Sequence, residues 1–85
     1  MHKKSSGFRR NFEKLSKSEK KIAEKNFNLL KENPEHPSLH FKKTGSFWSV
    51  RVSNNIRALA IEDEDDFIWI WIGKHDEYER IISQS

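Results

Sequence analysis

Two arginines of this 85-residue chain have the type and spacing that phosphate chemistry requires. Arg51 and Arg57 flank a turn at residues 53–55, and a three-residue loop there pairs them directly across neighbouring strands. A guanidinium is planar, permanently charged and able to bind a phosphate through two parallel hydrogen bonds. Because two facing guanidinium groups repel each other, we expect an anion to bind between them. Alternatively, each arginine pairs with a carboxylate of the acidic C-terminal third.

A histidine close to this pair could transfer protons. His75 follows Gly73 at the end of the last predicted strand, near the end of the sheet that carries the two arginines. Imidazole groups titrate near neutral pH and serve as general acids or bases. We therefore predict a site formed by Arg51, Arg57 and His75, although a single histidine is more often structural or solvated.

The elements that position these residues begin with two helices. Ser5 and Ser6 can cap a short helix, and an S-x-x-E capping box at Ser16 and Glu19 begins a second helix that ends at about Asn33. Both helices should form an antiparallel pair with one buried face. The apolar residues of that face recur at helical spacing: Phe8, Phe12, Leu15, Ala23, Phe27 and Leu30.

After Pro37 the apolar period becomes two, which predicts a four-stranded meander. A short terminal helix follows it, and helices followed by strands are typical of an α+β domain with helices packed on one curved, mainly antiparallel sheet. We expect a single domain over residues 1–85, in which residues 1–7 are either a strand or flexible. The predicted strands are Leu39–Lys43, Phe47–Val52, Ile56–Ile61 and Phe67–Ile72, and the predicted helix is Asp76–Ile82.

The fourth predicted strand carries two tryptophans. Simple antiparallel pairing with the third strand places Trp71 beside Arg57 and Trp69 beside Leu59. Trp71 could then stack on a base or on a guanidinium. Trp69 is expected to cover the sheet surface.

Composition excludes several classes of site. The chain has no cysteine, so it has neither disulfides nor thiolate ligands. Its four histidines lack metal-ligand spacing, and the acidic run at residues 62–66 lacks the pattern of a calcium loop. We expect no metal and no cofactor. The longest apolar run, Phe67 to Ile72, is too short for a membrane helix, so the cytoplasm is the expected compartment.

Charge is distributed unevenly along the chain. The first 60 residues hold 14 Lys and Arg against 5 Asp and Glu, whereas the last 25 hold 2 against 8. A basic body suits a polyanion such as RNA, or an acidic protein partner.

Four segments together resemble the RelE/ParE superfamily of type II toxins. They are NPEHPSLHFKK at residues 33–43, FWSVRV at 47–52, RAL at 57–59 and WIGKHDEY at 71–78. They occur in the order found in that family. The resemblance extends from about Phe8 to Ile82.

The resemblance implies a toxin that a cognate antitoxin wraps and neutralises in a hetero-oligomeric complex. RelE-like members cleave mRNA on the ribosome without a metal, by attack of a ribose 2′-hydroxyl on the adjacent phosphate. ParE-like members share the fold, inhibit DNA gyrase and cleave no RNA. A toxin fold without activity, kept as an antitoxin-binding or RNA-binding module, is a third reading.

The resemblance also assigns roles to individual residues. It implies a catalytic function for Arg51, Arg57 and His75, and places Tyr78 one turn beyond the histidine, where it stacks on a base or assists proton transfer. Ser49 departs from the pattern, because RelE itself has a lysine at this position. The implied RNA or phosphate contacts are Lys42, Lys43, Lys74 and Trp71.

Overall fold

The computed structural model describes residues 1–84 and contains a sheet with helices on both faces. The elements in chain order are β1 (His2–Lys4), α1 (Ser6–Glu13), α2 (Lys17–Glu32), a 3-10 turn (Pro37–Leu39), β2 (Lys42–Thr44), β3 (Phe47–Arg51), β4 (Ile56–Asp63), β5 (Asp66–Lys74) and α3 (His75–Ser83). The α+β class is as predicted.

Local side-chain hydrogen bonds begin both N-terminal helices where the sequence predicts them. The Ser5 hydroxyl accepts a hydrogen bond from the backbone N–H of Phe8 at 3.1 Å. At the start of α2, Ser16 and Glu19 form a complete capping box. Capping satisfies backbone donors that have no partner inside the helix, so the ends of α1 and α2 are fixed locally.

The sheet has five strands among the described residues, so the predicted count of four is wrong. Their order is β1-β5-β4-β3-β2, and β1 pairs with β5 in parallel. The three residues of β1 are His-Lys-Lys and carry no apolar alternation that would predict a strand. The first predicted strand also begins later, because residues 37–39 form the 3-10 turn that buries Leu39.

The pairing of β3 with β4 confirms the predicted register. Arg51 lies opposite Arg57, and Val50 lies opposite Ala58. The loop between these strands is closed by the backbone N–H of Val52, which donates to the carbonyl of Ile56 at 3.0 Å. The two arginines therefore emerge side by side from one face of the sheet.

A β-bulge changes the pairing of β4 with β5. The register shifts between Leu59 and Ala60. As a result Gly73 lies opposite Arg57, and Trp71 lies opposite Leu59. The predicted neighbours of both tryptophans are therefore wrong: Trp71 is not beside Arg57, and Trp69 pairs with Ala60.

The core lies between the sheet and the first two helices. The ring of Phe27 on α2 meets the buried Trp69 edge-on at a centroid distance of 5.0 Å, and it meets Phe8 of α1 at 5.5 Å. On the opposite face, α3 packs against β4 and β5 and Leu59 is fully buried. This second face carries the paired arginines.

Candidate functional site

A polar cleft of about 320 Å³ opens on the α3 side of the sheet. Residues from β2, β3 and β4 form its floor, and α3 forms one wall. All of the lining residues lie between positions 40 and 82: His40, Lys42, Thr44, Ser49, Arg51, Arg57, His75, Tyr78, Glu79 and Ile82.

Backbone and amide oxygens hold the two arginines of the cleft. The Arg57 Nη1 donates to the carbonyls of Ser53 at 2.6 Å, Ile56 at 3.1 Å and Asn54 at 3.3 Å. Arg51 donates to the side-chain oxygen of Asn54. These acceptors orient the guanidinium groups without neutralising them, so the cleft keeps two positive charges.

The surroundings of Arg57 lower the pKa of its guanidinium. Burial lowers the pKa of its guanidinium, and the nearby charge of Arg51 lowers it further, while Tyr78 and Glu79 act in the opposite direction. An arginine remains protonated at any physiological pH. Burial and the charge of Arg51 both disfavour the charged guanidinium, so a bound anion beside it would be stabilising.

His75 contacts the Glu79 carboxylate at the mouth of the cleft. Its Nε2 lies 3.1 Å from Glu79 Oε1, one helical turn further along α3. The backbone N–H of His75 donates to the carbonyl of Asn55 at 2.8 Å, which ties the start of α3 to the β3–β4 loop. Because Glu79 occupies Nε2, the nitrogen that remains for a ligand is Nδ1.

Tyr78 lies in the floor of the cleft and is largely buried. Its hydroxyl donates to the Ser49 hydroxyl at 3.3 Å, and Ser49 in turn lies 3.4 Å from the hydroxyl of Thr44. The Tyr78 ring is tilted by 33° against the imidazole of His75, at a centroid distance of 5.9 Å. This chain of hydroxyls attaches α3 to β3 and β2.

The structure brings five of the eight sequence-predicted site residues to the cleft and places three elsewhere. Lys43 pairs with Trp48, whose ring packs on the face of the sheet that α1 and α2 cover. Lys74 binds Glu19 of α2 at 2.9 Å. Trp71 lies on the α3 side of the sheet, with its ring over Gly73. The five at the cleft are Lys42, Arg51, Arg57, His75 and Tyr78.

Two further residues of the cleft, Glu79 and Ser49, were not among the predicted site residues. Glu79 lies one turn after His75 only because α3 begins at His75, one residue before the predicted helix, and side chains four residues apart on a helix meet. Ser49 alternates with Arg51 along β3, so the sequence predicts it on the same face of the sheet. Its hydrogen bond with Tyr78 was not predicted, because that bond depends on how α3 packs against β3.

The described residues offer no candidate metal centre and no membrane segment. Within residues 1–84, no three His, Cys, Asp or Glu side chains are grouped closely enough to hold a metal ion. Over the same residues, no helix has the length and apolar character needed to span a membrane.

Comparison with solved structures places this architecture among known ones. A chain of the RelB-RelE antitoxin-toxin complex from Methanococcus jannaschii has a TM-score of 0.72 at 11% identity, covering 93% of this chain and 96% of that one. YafQ from E. coli has a TM-score of 0.68 at 13% identity, covering 92% and 96%. The chain has the fold of the RelE toxins. Isolated E. coli RelE matches over 99% of this chain and 96% of its own, with a TM-score of 0.63 and 12% identity.

The predicted resemblance is therefore confirmed at the level of the RelE fold. No protein-family model and no curated sequence matches the chain. Since one fold can serve several functions, the chemistry must be argued from the cleft. In this RelE fold the cleft combines two arginines that form no ion pair in the described chain with a histidine–carboxylate pair.

Proposed function

We propose that this chain is the toxin of a type II toxin–antitoxin pair and that its cleft cleaves mRNA. The observation that supports this most is the arrangement of Arg51 and Arg57, which face each other with no carboxylate between them, beside the His75–Glu79 pair. Cations for a phosphate and a group for proton transfer are the requirements of RNA cleavage without a metal.

In the proposed reaction the ribose 2′-hydroxyl attacks the adjacent phosphorus. A bond forms between the 2′ oxygen and phosphorus, and the bond from phosphorus to the 5′ oxygen breaks, which leaves a 2′,3′-cyclic phosphate. Arg51, Arg57 and Lys42 stabilise the negative charge that develops on the phosphoryl oxygens. Electrostatic stabilisation of this kind is usually the largest contribution to catalysis.

The proton transfers are assigned to His75 and Glu79 on α3. Protonated His75 gives its Nδ1 proton to the departing 5′ oxygen, and the Glu79 carboxylate, whose Oε1 lies 3.1 Å from His75 Nε2, accepts the proton of the 2′-hydroxyl. Water then takes the proton from Glu79 and returns one to His75 Nδ1, so both groups regain their starting state. Tyr78 transfers no proton in this scheme. Its hydroxyl donates to Ser49, and this bond holds α3, with His75 and Glu79, against the sheet.

The proposed partners are an antitoxin and the ribosome with its mRNA. A similar chain occurs in an antitoxin-toxin complex from Methanococcus jannaschii, and this similarity supports a cognate antitoxin here. The supporting feature for RNA is the basic charge of the first 60 residues, because Lys and Arg that contact phosphates make binding favourable and salt-dependent.

Mapping of mRNA 5′ ends after induction in cells tests the proposal. Cleavage within codons, which disappears in a His75→Ala variant that remains folded, is the expected result. Intact transcripts together with an SOS response would replace the proposal with gyrase inhibition. Intact transcripts with normal growth would indicate that the protein is an inactive module that binds antitoxin or RNA.

A further inference from the structure

The imidazole of His2 is built into an aromatic cluster at the edge of the sheet, far from the cleft in the topology. Its ring stacks on Phe67 at a centroid distance of 5.4 Å and on Trp69 at 5.9 Å. A third ring, Phe41, meets it edge-on at 6.3 Å. His2 is thus the side chain through which β1 packs against the aromatic residues of β5.

A single hydrogen bond fixes the protonation state of this ring. The indole N–H of Trp69 donates to His2 Nδ1 at 3.0 Å. An indole nitrogen can only donate, so His2 must offer a lone pair at Nδ1 and is neutral in this arrangement. Trp69 is completely buried, and losing the acceptor would leave its N–H without a partner away from water.

The charges around the ring also oppose its protonation. Burial lowers the pKa of His2, and the positive charges of the Met1 ammonium and of Lys31 on α2 lower it further. The nearby carboxylate on β5 is Asp66, which pairs with the Met1 ammonium at 3.4 Å and with Lys3 at 3.0 Å. A proton on His2 is therefore unfavourable as long as β1 is docked.

The other attachments of β1 are a three-residue parallel ladder with residues 67–69 of β5, a cation–π contact of Lys4 with Phe27 at 5.6 Å, and a small number of flanking bonds. The N–H of Phe67 donates to the carbonyl of Met1 at 2.8 Å, and the N–H of Ser5 donates to the carbonyl of Trp69 at 3.0 Å. The two ion pairs to Asp66 involve exposed cations, and such pairs contribute little. A strand of three residues held in this way is marginal without a buried anchor.

We propose that His2 is a pH-sensitive latch that holds β1 on the edge of β5. Neutral His2 accepts the Trp69 hydrogen bond and keeps β1 docked. Protonation replaces the lone pair at Nδ1 by a second donor facing the indole N–H, so β1 separates and the hydrogen-bonding edge of β5 becomes exposed. An exposed edge can pair with another strand, so acidification changes which surface the protein presents.

Hydrogen exchange of the intact chain tests this latch. The amides of Ser5 and Phe67 report on β1, and the amide of Val52, which closes the β3–β4 loop, serves as an internal reference. Between pH of about 7.5 and about 5, we expect the protection factors of the two β1 reporters to fall by about tenfold more than that of the reference. NMR titration of the His2 ring should show the same midpoint.

Two substitutions separate the latch from general acid destabilisation. His2→Gln keeps an acceptor oxygen but cannot titrate, so the protection of Ser5 and Phe67 should become independent of pH in this range. His2→Phe keeps the ring but has no acceptor, so protection should be low at both pH values. Two results would overturn the proposal. One is equal protection of the Ser5 and Phe67 amides at both pH values in the wild type; the other is a loss of protection whose midpoint matches the titration of a histidine other than His2.

Discussion

Arg51 and Arg57 lie directly opposite each other on adjacent strands, and oxygens without net charge satisfy their side chains. Arg57 donates to three carbonyls of the β3–β4 loop. In the described chain neither arginine forms an ion pair with a carboxylate, although the charge of Glu79 acts on Arg57. Their mutual repulsion is kept in the folded protein, and the phosphate of the proposed RNA substrate would relieve it.

The two arginines should differ in their effect on stability. Arg57→Ala removes the donor that closes the loop and should lower the free energy of unfolding by about 1 to 3 kcal/mol. Arg51→Ala relieves repulsion and should change it by less than about 0.5 kcal/mol. Urea unfolding measures both. Each variant should also weaken RNA binding, so Arg51→Ala with unchanged stability and unchanged binding would remove Arg51 from the site.

Glu79 should be required for cleavage because it is paired with His75. Glu79→Gln removes the proposed base and should lower the cleavage rate by about 10²-fold or more, as is usual for general acid–base groups. Glu77→Gln is the matched control, since it makes the same change of charge on the same helix away from the cleft. Equal rates for the two variants would contradict the assignment.

Ser49 should not tolerate a lysine, although that residue is expected from the family pattern. The side chain is 3% exposed and binds Tyr78, so Ser49→Lys would bury an ammonium and displace α3. We expect a loss of about 3 kcal/mol in the free energy of unfolding. Ser46→Lys, at an exposed turn, should have little effect. A stable Ser49→Lys protein with restored or higher activity would show that the position is catalytic.

Gly73 makes room for the indole of Trp71. A Cβ at Gly73 would lie 2.6 Å from Trp71 Cζ2, so Gly73→Ala must move the ring, and tryptophan fluorescence should shift. Gly7→Ala is the control: its Cβ would lie 3.4 Å from the Ile70 carbonyl, an ordinary contact, and the substitution should stabilise α1 by about 0.5 kcal/mol. An unchanged emission spectrum for Gly73→Ala would place the indole elsewhere.

Acid should weaken the connection between α2 and the end of β5. The Ser16 backbone N–H and the Lys74 ammonium lower the pKa of Glu19 in the folded protein. The unfolded chain therefore takes up this proton at a higher pH, and stability falls as the pH drops below the ordinary range of glutamate. Glu19→Gln should flatten this dependence in urea unfolding measured from neutral to acid pH. The same slope in both proteins would exclude Glu19.

The sequence predicts best those features that depend on nearby residues. The capping box of α2 depends only on residues three apart in the chain. The register of β3 with β4 could be predicted because a three-residue loop places the apolar residues on one face of the sheet and the arginines on the other. The bulge at Leu59 could not be predicted, since β5 is apolar on both faces and a shift exposes no charge. β1 has no apolar pattern and is held by contacts with residues more than 60 positions away.

Part of the candidate site could be predicted from short-range patterns in the sequence. Arg51 and Arg57 follow from the strand register, and His75 follows from the end of β5. Glu79 could not be distinguished from other exposed helical carboxylates, because its role depends on which face of α3 meets the sheet. Trp71 was placed wrongly for two reasons. The hairpin itself pairs Trp69 with Ala60, one residue away from the predicted pairing, and the bulge adds a second residue, which brings Gly73 opposite Arg57.

All side chains that line the cleft come from residues 40–82, whereas α1 and α2 lie across the sheet from it. The helical pair and the cleft are therefore joined only through the sheet that separates them. Substitutions on the outer surface of the helical pair can change the charge and shape of that surface while the side chains of the cleft keep their spacing.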